Sequence, residues 1–114
     1  MSRLRNMTTG KIVATDVQRA GGVLSKIVGL LNRAHIEPSE GLWFPHCSLI
    51  HTLGMREAID VVFLDRQGCV VRTICGVPPN KFAVSCMNAA TTIELGSGAL
   101  SSCDILVGDR FVLE

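Results

Sequence analysis

Two ionisable side chains lie inside apolar, strand-like stretches of this sequence. His51 falls in the run Ser48–Thr52 and Asp60 in the run Ile59–Asp65, with a short link containing Gly54 between the runs. A polar group inside such a strand costs roughly 1–3 kcal/mol if it stays unsatisfied. Both residues therefore need partners, and Asp60 could orient and polarise the His51 imidazole for acid–base chemistry or for ligand binding.

The spacing of these residues predicts a polar row across three strands. A four-residue link would place His51 opposite Asp60 in a hairpin, with Cβ atoms about 5 Å apart. A second hairpin, closed by the turn Asp65-Arg66-Gln67-Gly68, would place Asp60 opposite Thr73. A one-residue slip would send one member to the other face. His51 and Asp60 could also have a purely structural role, in which each satisfies the other's hydrogen bonds and the pair fixes the strand register. The sequence leaves the functional and the structural interpretation open.

A soft metal site and a cysteine nucleophile are weaker interpretations of the same region. Cys47, His51 and Met55 follow the spacing C-x-x-x-H-x-x-x-M, and sulfur and imidazole ligands suit copper(I) or zinc. On a straight strand, however, Cys47 and His51 would lie roughly 13 Å apart, whereas metal ligands meet within about 2 Å of one ion. We therefore predict no metal and no cofactor.

Composition indicates one small soluble domain. The 114 residues are 47% hydrophobic and 18% charged, with a net charge of +1. So small a charge does not attract nucleic acid or an anionic membrane. High hydrophobicity with a sparsely charged surface favours a protein partner or a homodimer.

The sequence also suggests a reducing compartment. The first twenty residues contain no apolar run of signal-peptide length, and no stretch approaches a membrane span of about 20 residues. The five cysteines are scattered and form no C-x-x-C pair. We expect a cytoplasmic protein whose cysteines are mostly small buried hydrophobes.

Short strands separated by Gly, Pro, Asn and Asp turns dominate the rest of the chain. We predict a flexible N-terminus over 1–10 and one β-rich domain over 11–114, with one short helix near 23–32. The fold class is mainly β, an antiparallel β-sandwich or partly closed barrel of seven or eight strands.

Ile59–Leu64 is apolar at nearly every position and should be central. Glu94, between Ile93 and Leu95, is expected on a solvent-facing side of its strand. The predicted strands are Lys11–Gln18, Leu42–Phe44, Ser48–Thr52, Ile59–Asp65, Cys69–Val77, Lys81–Cys86, Ala90–Leu95 and Arg110–Leu113.

The run C-S-L-I-H-T-L-G-M-R-E-A-I-D-V-V-F-L-D, followed by I-E-L-G-S-G and G-D-R-F, resembles the prokaryotic domain-of-unknown-function family one-nine-two. The resemblance spans about Lys11 to Leu113 and implies a compact β-rich fold with no established activity. The chain departs from the family at Glu57-Ala58, where an aromatic-proline pair is usual. The shared positions are Gly41, Cys47, His51, Thr52, Met55, Asp60, Asp65 and Glu94.

Residues and resemblance together favour a non-enzymatic binding module for a small polar ligand or a protein partner. The alternative is a hydrolase or isomerase that uses His51 as general base, oriented by Asp60. The metal-binding interpretation ranks third. The candidate ligand-binding residues are Cys47, His51, Thr52, Met55, Arg56, Asp60 and Thr73.

Overall fold

The computed structural model describes residues 2–20, 35–52, 55–81 and 83–114. These residues form nine strands and one short helix, α1 (Ala99–Ser102). The helix predicted near 23–32 lies outside the described residues. The strands are β1 (Ser2–Asn6), β2 (Ile12–Arg19), β3 (Glu40–Pro45), β4 (Leu49–Ile50), β5 (Ile59–Leu64), β6 (Val70–Val77), β7 (Val84–Ser85), β8 (Thr91–Gly96) and β9 (Phe111–Leu113).

Seven strands form one sheet in the order β6-β5-β8-β3-β2-β1-β9. The mainly β class is confirmed, but the sheet is mixed because β2 and β3 run parallel. The chain between these two strands is long enough for the crossover that parallel pairing requires. The sheet curls until its edge strands approach at a single bridge, Cys69–Arg110, and the barrel is not closed.

The strand β4 does not pair with β5, so the predicted first hairpin is wrong. Instead, β4 pairs with β7 in a separate two-stranded sheet. The neighbours of β5 are β6 and β8. All six residues of β5 are buried, so its backbone groups have no water to bond and need a ladder on both sides. The predicted central position of this strand is confirmed.

The second predicted hairpin is present. The Gly68 N–H donates to the Asp65 carbonyl oxygen at 3.0 Å, and Gly68 adopts a φ of +83°. The Asp65 carboxylate accepts the N–H groups of Gln67 and Cys69, each at 2.9 Å. Asp and Gly therefore fix this turn, which joins β5 to β6, through local contacts alone.

The N-terminal residues form a strand that the sequence did not predict. β1 lies between β2 and β9 and buries Leu4 completely. The buried Asn6 amide donates to the Asp109 carboxylate at 2.9 Å. Pairing with the nearby β2 and with the distant β9 therefore orders a segment whose own sequence carries little strand signal.

The two faces of the large sheet carry separate hydrophobic clusters. The first cluster includes Leu4, Val17, Val62, Leu95 and Phe111, and α1 packs on it through Ala99. The second cluster lies on the other face, beneath the β4–β7 sheet. It comprises Ile36, Ile50, Met55, Ile59, Val61, Phe63 and Val77.

Candidate functional site

Asp60 is fully buried, and its carboxylate accepts three backbone N–H groups. One oxygen bonds Gly76 at 2.9 Å, and the other bonds Gly98 at 3.2 Å and Leu100 at 3.0 Å. The β5–β6 register shifts at this point, so two residues of β6 oppose Asp60. Its carboxylate thus fills the β-bulge and caps the first turn of α1. These contacts tie three elements together and give Asp60 an architectural position.

The structure does not bring His51 and Asp60 together. His51 is exposed and follows β4, whereas Asp60 lies in β5, which is not a neighbour of β4. Among the described residues, no hydrogen bond or ion pair joins the two side chains, and His51 has other interactions. Thr73 is paired with Val62 rather than with Asp60. The predicted polar row is therefore wrong in its register.

Thr52 anchors the loop that follows β6. Its buried hydroxyl donates to the Pro78 carbonyl and accepts the Lys81 N–H, each at 2.8 Å. Its backbone N–H donates to the Lys81 carbonyl at 2.9 Å, and its carbonyl accepts the Asn80 N–H at 2.8 Å. Thr52 therefore ties the segment that carries the exposed His51 to the loop after β6.

The remaining candidates on this segment differ in burial. Met55 is buried in the second cluster, and half-buried Cys47 packs against that cluster. The Cys47 thiol bonds the Leu49 carbonyl at 3.0 Å, and Arg56 is exposed. Within the described part of the chain, no group of three His, Cys, Asp or Glu residues is placed to hold a metal ion. None of the helical structure described there has the length and apolar content needed to span a bilayer.

Glu94 is the residue that the sequence placed wrongly. It is only 7% exposed, not solvent-facing. It lies opposite Leu42 of β3 and Val61 of β5, and Val61 belongs to the second cluster. Directly opposed residues share a face of the sheet, so Glu94 points toward this cluster. Burial raises the pKa of its carboxyl to about 7.

No donor among the described residues bonds the Glu94 carboxyl, and burial is the sole cause of its pKa shift. Every fully buried side-chain nitrogen or oxygen in the described ranges does have a hydrogen-bond partner. The carboxyl oxygens of Glu94 are therefore not sealed off and retain a narrow contact with solvent. The result is a largely buried acid group with no donor among the described residues.

Two chain segments border Glu94 along β8. Thr92, on the same face, donates its hydroxyl to the Cys47 carbonyl at 2.8 Å. At the other end, an added Cβ on Gly96 would lie 2.1 Å from the Glu37 carbonyl oxygen and 2.7 Å from that of Ile36. A glycine is required here because the 36–37 backbone passes directly over β8. The Cys47 carbonyl and the 36–37 backbone therefore lie against β8 at Thr92 and Gly96, two residues to either side of Glu94.

Comparison with known proteins agrees with this fold. The DUF192 family model, described as Uncharacterized ACR, matches residues 4–113. The chain belongs to this family. A UPF0127 protein from Pyrococcus furiosus is 32% identical over 111 residues, which cover 92% of each chain.

Two crystal structures share the architecture of this DUF192 domain. A candidate transcription regulator from Sinorhizobium meliloti 1021 matches with a TM-score of 0.79 and 18% identity, over 98% of this chain and 91% of that one. A protein of unknown function from Novosphingobium aromaticivorans matches with a TM-score of 0.73 and 15% identity, over 97% and 82%. At these identities the likeness concerns the fold alone.

Glu57, where this DUF192 chain departs from the pattern expected of its family, makes specific contacts. Its carboxylate accepts the Ile36 N–H at 2.7 Å and contacts the His35 ring at 3.1 Å. The Ile36 N–H holds the pKa of Glu57 below its ordinary value, and the bond to Glu57 raises the pKa of His35. Glu57 therefore fastens the 55–58 link to the segment that passes over Gly96, beside Glu94.

The sequence carries a signal for the burial of Glu94. Glu94 is an isolated carboxylate between Ile93 and Leu95, as Asp60 is between Ile59 and Val61. Its place between two apolar residues predicts an outward-facing Glu94, yet both faces of β8 are covered in the structure. Only the pairing of β8 between β3 and β5 shows that Glu94 is buried rather than solvent-facing.

Proposed function

We propose that this domain is a non-catalytic binding module for a small molecule, and that its site lies at Glu94. One observation carries the proposal: the Glu94 carboxyl lacks a hydrogen-bond partner in the described part of the chain, although the residue is only 7% exposed. A buried polar group without a partner lowers stability by roughly 1–3 kcal/mol. A ligand that donates to Glu94 would recover that loss, so the arrangement favours binding.

The segment containing the sequence-predicted candidates borders the proposed site. The Cys47 carbonyl accepts the hydroxyl of Thr92, which lies two residues from Glu94 on the same strand. Met55 belongs to the second cluster, toward which Glu94 points. His51 and Arg56 lie on the same segment and are exposed, which suits residues that a ligand approaches. In this proposal Asp60 stabilises the sheet that carries the site, and a ligand would not contact Asp60.

A fragment screen tests the proposal. Small polar and apolar fragments are added to isotopically labelled protein, and the backbone amide signals are followed by NMR. Binders should shift the signals of Leu42, Thr92 and Gly96, and Glu94→Gln should weaken them at least tenfold. Glu114→Gln is the matched control because Glu114 lies at the far end of the chain and pairs with Arg5. Fragments that bind equally well to Glu94→Gln would refute the site.

The pKa of Glu94 favours an enzyme as the second candidate. A carboxyl with a pKa of about 7 exchanges protons readily at neutral pH, as a general acid or base must. This differs from the sequence-based alternative, which assigned the proton transfer to His51 and Asp60. Turnover of an ester or amide substrate that is lost in Glu94→Gln, while binding of that substrate persists, would support the enzyme over the binding module.

A further inference from the structure

We propose that a second cavity, beside the edge strand β6, binds a small organic anion that carries an apolar body. The cavity lies between β6, the loop that follows β6, and β7, and its volume is about 410 Å³. Small-molecule sites in proteins usually measure about 300–1,000 Å³. Glu94 is not among the residues that line this cavity, so the inference is independent of the proposed function.

Two cationic side chains line the cavity, Arg72 on β6 and Lys81 on the loop before β7. The Arg72 guanidinium donates to the Ser85 carbonyl at 3.1 Å, and this bond joins β6 to β7. The other N–H donors of Arg72 and the Lys81 ammonium form no bond with any described residue. Both groups therefore keep donors for a ligand. A guanidinium can pair with two oxygens of one carboxylate or phosphate group at once.

Thr52 holds the backbone of Lys81 beside the cavity. The Lys81 N–H donates to the Thr52 hydroxyl at 2.8 Å, and the Lys81 carbonyl accepts the Thr52 N–H at 2.9 Å. The neighbouring Asn80 N–H donates to the Thr52 carbonyl at 2.8 Å. Because these bonds order the loop before a ligand arrives, binding loses less conformational entropy than it would at an unanchored loop.

The charge around the cavity is positive. Residues 66–93, which include β6, the loop and β7, contain no Asp or Glu, and neither does the segment 41–56, which includes β4. The carboxylate that contacts the lining is that of Asp60, which accepts the Gly76 N–H at 2.9 Å. Asp60 is fully buried, also accepts two N–H groups of the α1 region, and does not line the cavity. The described surroundings therefore favour an anion over a cation or a neutral ligand.

Most of the remaining lining is apolar, which determines the rest of the ligand. An added Cβ on Gly76 would meet no atom within 4 Å, so the space at this part of β6 is open. An apolar body on the ligand would remove apolar lining from water, whereas an inorganic anion would leave it exposed. The lining therefore favours an anion with an attached hydrocarbon group. The apolar lining residues are Ile74, Val77, Pro78, Ala83 and Val84.

The test titrates hexanoate into the isotopically labelled full chain and follows the backbone amide signals of Ile74, Gly76 and Ser85 by NMR. Hexanol and hexylamine carry the same apolar chain without the negative charge, and acetate carries the charge without the chain. Hexanoate should bind about tenfold more tightly than each of these, because charge-assisted hydrogen bonds and apolar burial both contribute. Hexyl phosphate is titrated in parallel, and the tighter of the two anions identifies the acidic group of the ligand.

Variants of the two cations test their roles. Arg72→Gln and Lys81→Gln should each weaken hexanoate binding by about tenfold, because each removes a charged donor. Arg66→Gln is the matched control, since it removes the same charge from a residue that does not line the cavity. All three side chains are exposed, so these substitutions should leave the fold intact. In the wild-type protein, added salt should weaken hexanoate binding and leave hexanol binding unchanged, a readout that needs no variant.

Several results would overturn this inference. Hexanol or hexylamine that binds as tightly as hexanoate would show that the cavity does not select an anion, and acetate that does so would remove the role of the apolar lining. An unchanged hexanoate affinity in Arg72→Gln or Lys81→Gln, or no binding of hexanoate and hexyl phosphate, would equally refute it. Hexanoate shifts confined to Leu42, Thr92 and Gly96 would place binding at Glu94 instead.

Discussion

Glu94→Gln is expected to remove a specific pH dependence from the stability of this domain. Burial raises the pKa of Glu94 from an ordinary value of 4.5 to about 7 in the folded protein. Between these two pH values the folded state binds more protons than the unfolded chain, so the free energy of unfolding falls as pH rises. At about 1.4 kcal/mol per unit of pKa, the wild-type protein should lose on the order of 3 kcal/mol across this window relative to the glutamine variant.

Urea unfolding at several pH values checks this prediction, because the fluorescence of Trp43 reports unfolding and Trp43 is the only tryptophan. The quantity to compare is the unfolding free energy of the wild type minus that of Glu94→Gln. Other titrating groups, His35 among them, are present in both proteins and cancel in this difference. Glu114→Gln, at an exposed position, should leave the wild-type pH profile unchanged. A difference that is the same at both ends of the pH range would refute the assigned environment of Glu94.

Three further substitutions test the framework around the site by urea unfolding. Asp60→Asn should lower the free energy of unfolding by roughly 3 kcal/mol or more, because an amide cannot accept all three buried N–H groups; near-wild-type stability would contradict its architectural role. Thr52→Val should cost about 1–3 kcal/mol and speed hydrogen exchange at the Lys81 N–H, and unchanged exchange there would argue against the anchor. Gly96→Ala should lower the free energy of unfolding by about 1–3 kcal/mol, because the added Cβ would collide with the Glu37 carbonyl. A gain in stability would show that the 36–37 backbone does not lie against β8.

Local signals were sufficient for several elements. The turn Asp65–Gly68 was predictable because the contacts of Asp65 and the positive φ of Gly68 lie within five residues. The central position of β5 was predictable because an unbroken apolar run must be covered on both faces. The requirement that buried Asp60 find partners was also predictable, although the identity of those partners was not.

The partners of Asp60 and β4, and the burial of Glu94, depend on contacts between distant parts of the chain. Asp60 bonds backbone N–H groups from β6 and the start of α1 in place of His51. A two-residue strand such as β4 carries too little pattern to specify β7 as its neighbour.

The sequence by itself therefore determined the mainly β class, the β5–β6 hairpin, and the fact that polar groups in apolar strands must be satisfied. These follow from burial, turn chemistry and desolvation, which act over a few residues. Only the tertiary structure decided which carboxylate is satisfied and which is not. Asp60 meets a β-bulge and a helix start that supply donors, whereas the residues opposite Glu94 on the neighbouring strands, Leu42 and Val61, are apolar. That difference, set by strand order, is the reason we propose the site at Glu94.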